Sequence, residues 1–557
     1  MSLRAVRKAF VVAVCVLGLA ACTSIPTQGP VVAGDPQVTE PGGVDLLAEG
    51  PTQDAPPEKI VEGFLLAGAA GLADDFVVAR EFLSGEIRSS WEPLAGVVVA
   101  TSLDIQLTTS TQVTLSVPVE ARVDADGRYV EAAADARESV TFDMVQDDEG
   151  QWRIASGPQG LVLTQPVFAS QFRSTPVYFL SPDKQFLVPD TRWFPNRSSL
   201  ATYVMQALLA GPSPWLRDAV VTEVPEGTEL VPGAVTVGRD GVADVELGPQ
   251  SAVLGADRDL LVAQIEASLR IPKVGSVRVV SDGVVLTGTA VLDRGVLPSL
   301  NPEFLQDGSL VELAGTEVSP VAGVATLQGL GAAAPARSED GSVRVLLTTS
   351  GMATVPTDDA PGELLVPGFD LAAPSVDRFG WAWTAHTSGG SEDAALQVAT
   401  PGQDAVRVAV DWLAGRRVLS VRVSRDATRI AVVSDGPDGV AVDVAGVLRD
   451  DANAPVQLGE PIRAGASLTQ AVAVVWVDEA TIGVLGRSGA GSALHLVPVS
   501  GPTSALPEMA DVVSVAGGRG ARALLVATSG GELFRLDGPS WVQVVGVDGA
   551  SDPSYPG

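Results

Sequence analysis

The chain has 557 residues and a formal net charge of −31, with 46% apolar and only 18% charged residues. That composition excludes a disordered, collagen-like or coiled-coil chain, and the length suits about three to five domains at roughly 100–200 residues each. The acidity argues against nucleic acid as a partner, because phosphate binding needs clustered Lys and Arg.

Two His, His386 and His495, and two Cys, Cys15 and Cys22, leave too little material for a His-rich metal site, a zinc ribbon or a disulfide framework. Residues 1–21 read as a processing signal. Arg4, Arg7 and Lys8 form a positive n-region, and Ala9 to Ala21 is an apolar stretch. It is shorter than the roughly 20 residues a membrane span needs, and it fits the apolar core of a signal peptide. It ends in Leu19-Ala20-Ala21-Cys22, which resembles a bacterial lipoprotein signal. The resemblance implies cleavage between Ala21 and Cys22. It also implies an S-diacylglycerol on the Cys22 thiol and an N-acyl chain, such as palmitate, on its new amine. Small residues at Ala20 and Ala21 give a peptidase access to the bond, and the thiolate is the nucleophile that accepts lipid. Two or three acyl chains hold a protein on a membrane firmly, whereas one binds marginally.

Residues 22–56 form a tether. Pro26, Pro30, Pro36, Pro41, Pro51 and Pro56 alternate with Gly29, Gly34, Gly42, Gly43 and Gly50, and scattered acids keep the segment solvated and extended.

Three folded regions follow, so that the fold class expected is multi-domain, α+β first and all-β after. In residues 57–166, Ile60, Val61, Phe64 and Leu65 recur at helical spacing behind Pro56-Pro57. Phe76, Ala79 and Phe82 or Leu83 predict a second helix. Strands are predicted at Val97–Val99, Val113–Val123, Tyr129–Ala132, Ser139–Gln146 and Trp152–Ser156, with hairpin turns at Asp126-Gly127 and Glu149-Gly150. Helices followed by a curved antiparallel sheet resemble a nuclear-transport-factor-2-like cone. Asp124-Ala125-Asp126-Gly127 has calcium-loop spelling, but Arg128 stands where the next ligand belongs, which favours a hairpin.

In residues 170–300, strands are predicted at Val177–Leu180, Phe186–Val188, Ala234–Val237, Val242–Glu246 and Val277–Val280. Leu200, Tyr203, Val204, Ala207 and Leu208 form a helical stripe that Gly211-Pro212 ends, and Leu260, Leu261, Ile265 and Leu269 form another. Leu187-Val188-Pro189-Asp190-Thr191-Arg192, Leu208-Leu209-Ala210-Gly211-Pro212 and Val224-Pro225-Glu226-Gly227-Thr228 look like a spore-germination (GerMN) domain. Arg192 is expected to anchor a loop or pair with an acid, with ligand binding as its other reading.

Residues 310–557 carry almost no helical periodicity. Val418–Val423, the turn Ser424-Arg425-Asp426-Ala427-Thr428-Arg429 and Ile430–Val433 resemble a propeller-blade unit, with Ala427 in place of the usual Gly. Related units lie at Phe379–Trp383, Val472–Leu485 and Val513–Thr528. At about 40–45 residues per blade the region predicts a β-propeller of five or six blades; a sandwich pair is the alternative.

No catalytic site, cofactor site or metal site is read. There is no phosphate loop, His-Glu-x-x-His or Gly-x-Ser-x-Gly elbow. Gly486–Gly491 lacks the Lys of a phosphate loop. Ser181-Pro182-Asp183-Lys184 spells Ser-x-x-Lys, yet its Pro stands where an acylating enzyme needs helix. His386 has no orienting partner that the sequence reveals, and His495 alternates with Leu494 and Leu496 in a strand.

The order of lipoprotein signal, tether, α+β module, GerMN-like module and propeller is similar to the actinobacterial LpqB lipoprotein family. So are Ala79-Arg80-Glu81-Phe82-Leu83, Trp91-Glu92-Pro93 and Val188-Pro189-Asp190-Thr191-Arg192-Trp193-Phe194-Pro195. The resemblance implies no enzyme, but a lipoprotein on the extracytoplasmic face of the cell membrane. It implies contact with the extracytoplasmic domain of a sensor histidine kinase (MtrB) of the MtrA–MtrB two-component system, with envelope homeostasis and division as outputs. The alternative is a lipoprotein that binds cell-wall glycan or a small ligand.

Overall fold

The computed structural model describes residues 47–294, 298–387, 396–489 and 491–557. The expected signal, Cys22 and the tether before residue 47 lie outside the described residues.

The first module packs the helix Pro57–Ala70 against a curved sheet. Pro57 sits at the first helical position, where its missing N–H costs nothing. Ile60, Val61, Phe64 and Leu65 face the sheet. The long strand Gln112–Asp124 alternates strictly, burying Val113, Leu115, Val117, Val119, Ala121 and Val123. It pairs with Arg137–Gln146 on one side and Gly96–Ala100 on the other. The sheet is not wholly antiparallel as predicted, because Gly96–Ala100 also pairs in parallel with Leu161–Thr164. The chain reaches that parallel register through Gly160, whose φ is +79° and where a Cβ would lie 2.4 Å from the Gly96 carbonyl oxygen. The second helix is shorter than predicted, Val77–Glu81. Phe76 precedes it in a left-handed conformation and sets its ring edge-on to Trp91 at 5.9 Å.

The second module opens with the hairpin of Phe172–Leu180 and Leu187–Pro195. Helix Leu200–Ala210 ends at Gly211, whose φ of 86° suits glycine. Val242–Gly248 and Ser276–Ser281 run parallel, with the helix Arg258–Ser268 as crossover. Asp257 caps that helix by accepting the N–H groups of Asp259 and Leu260. A further strand, Val284–Leu286, forms the sheet's end.

The third module is a propeller of six four-stranded blades, counting the main path of each sheet. Their inner strands are Ala550–Ser554, Ala333–Arg337, Ser375–Val376, Arg417–Val423, Gln470–Trp476 and Val512–Gly517. The first blade starts at Glu303–Gln306, upstream of residue 310, and pairs that strand with Ala550–Ser554. Joining the two ends in one blade closes the ring and leaves the sheet edges protected.

The second and third modules share one core. Trp215, Leu216 and Ala219 pack with Val442, Val444, Val474 and Trp476 of the propeller. Gly446 makes the approach possible, since a Cβ there would lie 2.6 Å from that of Ala219. The first module joins through an aromatic cluster in which Trp193 lies 5.5 Å from Tyr129 and 4.9 Å from Phe168. The Glu131 carboxylate accepts hydrogen bonds from Thr503 and Ser467 of the propeller.

Candidate functional site

Most of the singled-out residues serve structure. Arg192 pairs with an acid, as expected. Its Nε and Nη2 donate to Asp190 Oδ2, and Nη2 also reaches the Gly211 carbonyl at 2.7 Å. Ser181 and Lys184 make structural contacts rather than a Ser–Lys pair: the Ser181 hydroxyl donates to Asp183 at 2.6 Å, Asp183 pairs with Arg378, and Lys184 pairs with Glu223. Asp124 Oδ1 accepts the N–H groups of Asp126 and Arg128 in a hairpin turn, and Arg128 folds back onto both acids. Ala21 and Cys22 are not described. Gly486–Ser488 close one strand and Gly491 opens the next, so that stretch is a hairpin connection.

The expectation that His386 lacks an orienting partner is corrected. Its Nδ1 lies 3.1 Å from Asp370 Oδ1. The acid is sixteen residues away in sequence, which is why spacing did not show it. His495 is 1% exposed. Its Nδ1–H donates to the Ala493 carbonyl, so neutral Nε2 accepts from Ser488 Oγ, both at 3.0 Å. Burial holds the imidazole below the usual histidine range. As pH falls, the unfolded chain takes up this proton first, near about pH 6.5. The site's contribution to stability is therefore present above that value and lost as pH falls toward the folded pKa. Equilibrium unfolding at about pH 7.5 and about pH 5.5 should show wild type losing more stability across the interval than His495→Gln.

The blade turn at Ser424–Arg429 is a compact polar lock. Asp426 accepts from the Ser424 hydroxyl, the Thr428 N–H and hydroxyl, and Arg429. Burial pushes its carboxyl up, but the Arg429 charge and these hydrogen bonds outweigh it and hold it below the carboxylate range. Ala427 adopts φ +63°, the left-handed region that is costly for L-residues, with its methyl buried in the blade core. Two more blades carry the same device unread from the sequence. Asp340 accepts from Ser338 and Ser342, and Asp377 accepts the N–H groups of Phe379 and Trp381. The letters Ser338-Glu339-Asp340-Gly341 were the available signal.

Among the described residues, no cluster of three or more His, Cys, Asp or Glu could hold a metal ion, and no helix is long and apolar enough to cross a membrane.

Among the described residues, two open surfaces bear most on ligand or partner binding. One is the edge of the second module's sheet that no strand covers among the described residues. Asp282 and Gly283 both have positive φ, forming a tight turn that presents Val284–Leu286 as the terminal strand. Val284 is 53%, Val285 51% and Leu254 72% exposed. Val284 and Leu254 rim a groove of about 340 Å³ whose walls include Val253, Leu261 and Leu286, while Val285 points to the opposite face of the strand. Asp282-Gly283 before Val284-Val285-Leu286 was a legible hairpin signal that the strand reading stopped short of. The other surface is the propeller's central channel, lined by the inner strands of its blades.

A mixed α+β front joined by a shared core to a closed all-β ring defines a multi-module β-propeller protein. Family models match in the same order: the N-terminal domain of lipoprotein LpqB over residues 50–169, a sporulation and spore germination (Germane) domain over 176–287, and the lipoprotein LpqB β-propeller domain over 308–556. The chain belongs to the LpqB lipoprotein family. Lipoprotein LpqB of Cutibacterium acnes is 28% identical over 595 aligned residues, covering 98% of each chain. That of Streptomyces coelicolor is 29% identical, covering 99% of this chain and 98% of its own. That of Mycobacterium tuberculosis is 27% identical, covering 88% of each. Among solved structures, a chain of the nidogen/laminin complex matches 46% of this chain and 97% of its own, at 10% identity and a TM-score of 0.34.

Proposed function

We propose that this protein is a non-enzymatic accessory lipoprotein, anchored through Cys22 to the outer face of the cell membrane. There it docks on the extracytoplasmic part of a sensor histidine kinase of the MtrB type and so modulates envelope homeostasis and division. The observation that carries the docking is the sheet edge Val284–Leu286, which no further strand pairs among the described residues, beside its apolar groove. An open edge strand offers main-chain hydrogen bonds to a partner strand, and the adjacent groove supplies side-chain selectivity. Confinement of both partners to one membrane raises their effective concentration, so a modest surface suffices.

Crosslinking in intact cells, followed by pull-down and mass spectrometry, tests this. Wild type is expected to capture a sensor kinase. Cys22→Ala is expected to lose it, and Val284→Lys, on the groove face of the edge strand, to reduce capture by about tenfold, the equivalent of roughly 1.4 kcal/mol. Position 284 is exposed, so the charge does not disturb the core. Recovery of wall fragments or wall enzymes without a kinase would transfer the reading to envelope binding.

A further inference from the structure

The propeller channel contains two guanidiniums that form no ion pair among the described residues. Arg422 lies on the inner strand of the fourth blade, and Arg425 lies in the turn that follows. Arg422 Nη1 donates to the carbonyls of Val421 at 2.7 Å, Ala373 at 2.9 Å and Pro374 at 3.3 Å. Arg425 Nη2 donates to the carbonyls of Gly518 at 2.7 Å, Gly517 at 2.9 Å and Trp476 at 3.3 Å. Carbonyls orient both groups; among the described residues no acid offsets the Arg422 charge, and Asp478 and Asp426 act on Arg425 without forming an ion pair with it. Burial pushes each side chain down to about 10, which still leaves it charged at neutral pH.

Other polar atoms here are also unanswered. Arg425 Nε and the Ser514 hydroxyl are buried without a hydrogen-bond partner. Asp552, an acid in the lining, accepts the Ala334 N–H at 3.2 Å and pairs with neither arginine. Burying an unpaired charge destabilises a fold, and a bound counter-charge removes that cost. The cavity measures about 240 Å³. That lies below the roughly 300–1,000 Å³ of sites for drug-sized ligands, so it suits a small group. The net charge of −31 repels long polyanions, which also favours a small ligand held by local cations.

We propose that the channel is a binding site for a small oxyanion, a carboxylate or a phosphate group, held by Arg422 and Arg425 with the Ser514 hydroxyl as a further donor. The site stands apart from the sheet edge of the second module and does not depend on the kinase reading.

Isothermal titration calorimetry on the detergent-solubilised full chain tests it, using inorganic phosphate and, separately, succinate at fixed pH and ionic strength. At least one anion is expected to bind saturably with one-to-one stoichiometry. Phosphate alone would identify a phosphoryl ligand, and succinate alone a carboxylate. Arg422→Gln and Arg425→Gln are each expected to weaken binding by about tenfold or more. Both keep an N–H donor for the carbonyls that now hold the guanidiniums. Arg417→Gln, at an exposed position paired with Asp435, is expected to bind as wild type does. A thermal melt beside each titration is expected to show the anion raising the wild-type transition and not that of the channel variants. The proposal is overturned if neither anion binds, if both channel variants bind like wild type, or if Arg417→Gln loses as much as they do.

Discussion

Asp190→Ala is expected to destabilise the folded chain by about 3–5 kcal/mol, because it leaves a buried guanidinium without its counter-charge. Arg192 and Asp190 are 4% and 2% exposed. The carboxylate accepts Arg192 Nη2 at 2.8 Å, the Ser213 N–H at 2.8 Å and the Ser213 hydroxyl at 2.9 Å. One acid therefore ties the second hairpin strand to the segment after Gly211, where helix Leu200–Ala210 has just ended. Removing it orphans two buried donors as well as the cation. The direction is firm because no solvent reaches the pair to screen the loss. Replacing both partners with apolar residues, Asp190→Leu with Arg192→Met, should cost less than the single acid deletion, since no charge is then left buried. Denaturant unfolding of the single and double variants measures the coupling. A cost under about 1 kcal/mol for Asp190→Ala would mean that the ion pair is not what holds this junction.

What the sequence revealed followed from local periodicity. Val113 to Val123 alternates strictly, and the structure gives Gln112–Asp124. Leu200, Val204 and Leu208 repeat at helical spacing, and Gly211 ends the helix. Asp104–Thr109 escaped because its residues are nearly all exposed, so no apolar alternation marks it. Phe76 falls at helical spacing from Ala79 and Phe82, which places it in the second helix on the sequence alone. Its left-handed backbone is a tertiary outcome, set by packing against Trp91, which no local window contains. The blade count narrowed to six only with the pairing of Glu303–Gln306 to Ala550–Ser554, residues about 250 positions apart. At the candidate sites the same limit applies. The acid near His386 is remote in sequence, and the channel arginines become notable only when their surroundings prove to lack a paired carboxylate. Composition suggested an acidic protein throughout and gave no sign of a local cationic interior.

Separating residues 50–300 from the propeller is expected to abolish the cooperative thermal transition of the second module. The three folded regions look like beads on a string in the sequence, where Pro, Gly and charge mark the gaps. The structure instead runs one apolar cluster from Leu208, Trp215 and Leu216 into Val442, Val474, Trp476 and Val484. Fully burying side chains of this size contributes about 1.5–3 kcal/mol each, so uncovering several is comparable to the roughly 5–15 kcal/mol that holds a whole domain together. Polar contacts add to the loss. Tyr178 donates to Glu479 Oε1 at 2.8 Å, Arg378 reaches back to Asp183, and Trp193 Nε1 donates to the Ser500 carbonyl at 2.9 Å. Calorimetry of the excised segment should show a low, broad transition and exposed apolar surface that binds a hydrophobic dye. A sharp transition at the full chain's temperature would instead establish independent domains. The outcome also determines how the partner should be sought. If the modules fold as one body, deleting the propeller destroys the sheet edge along with it, and only point substitutions such as Val284→Lys can separate a lost contact from a lost fold.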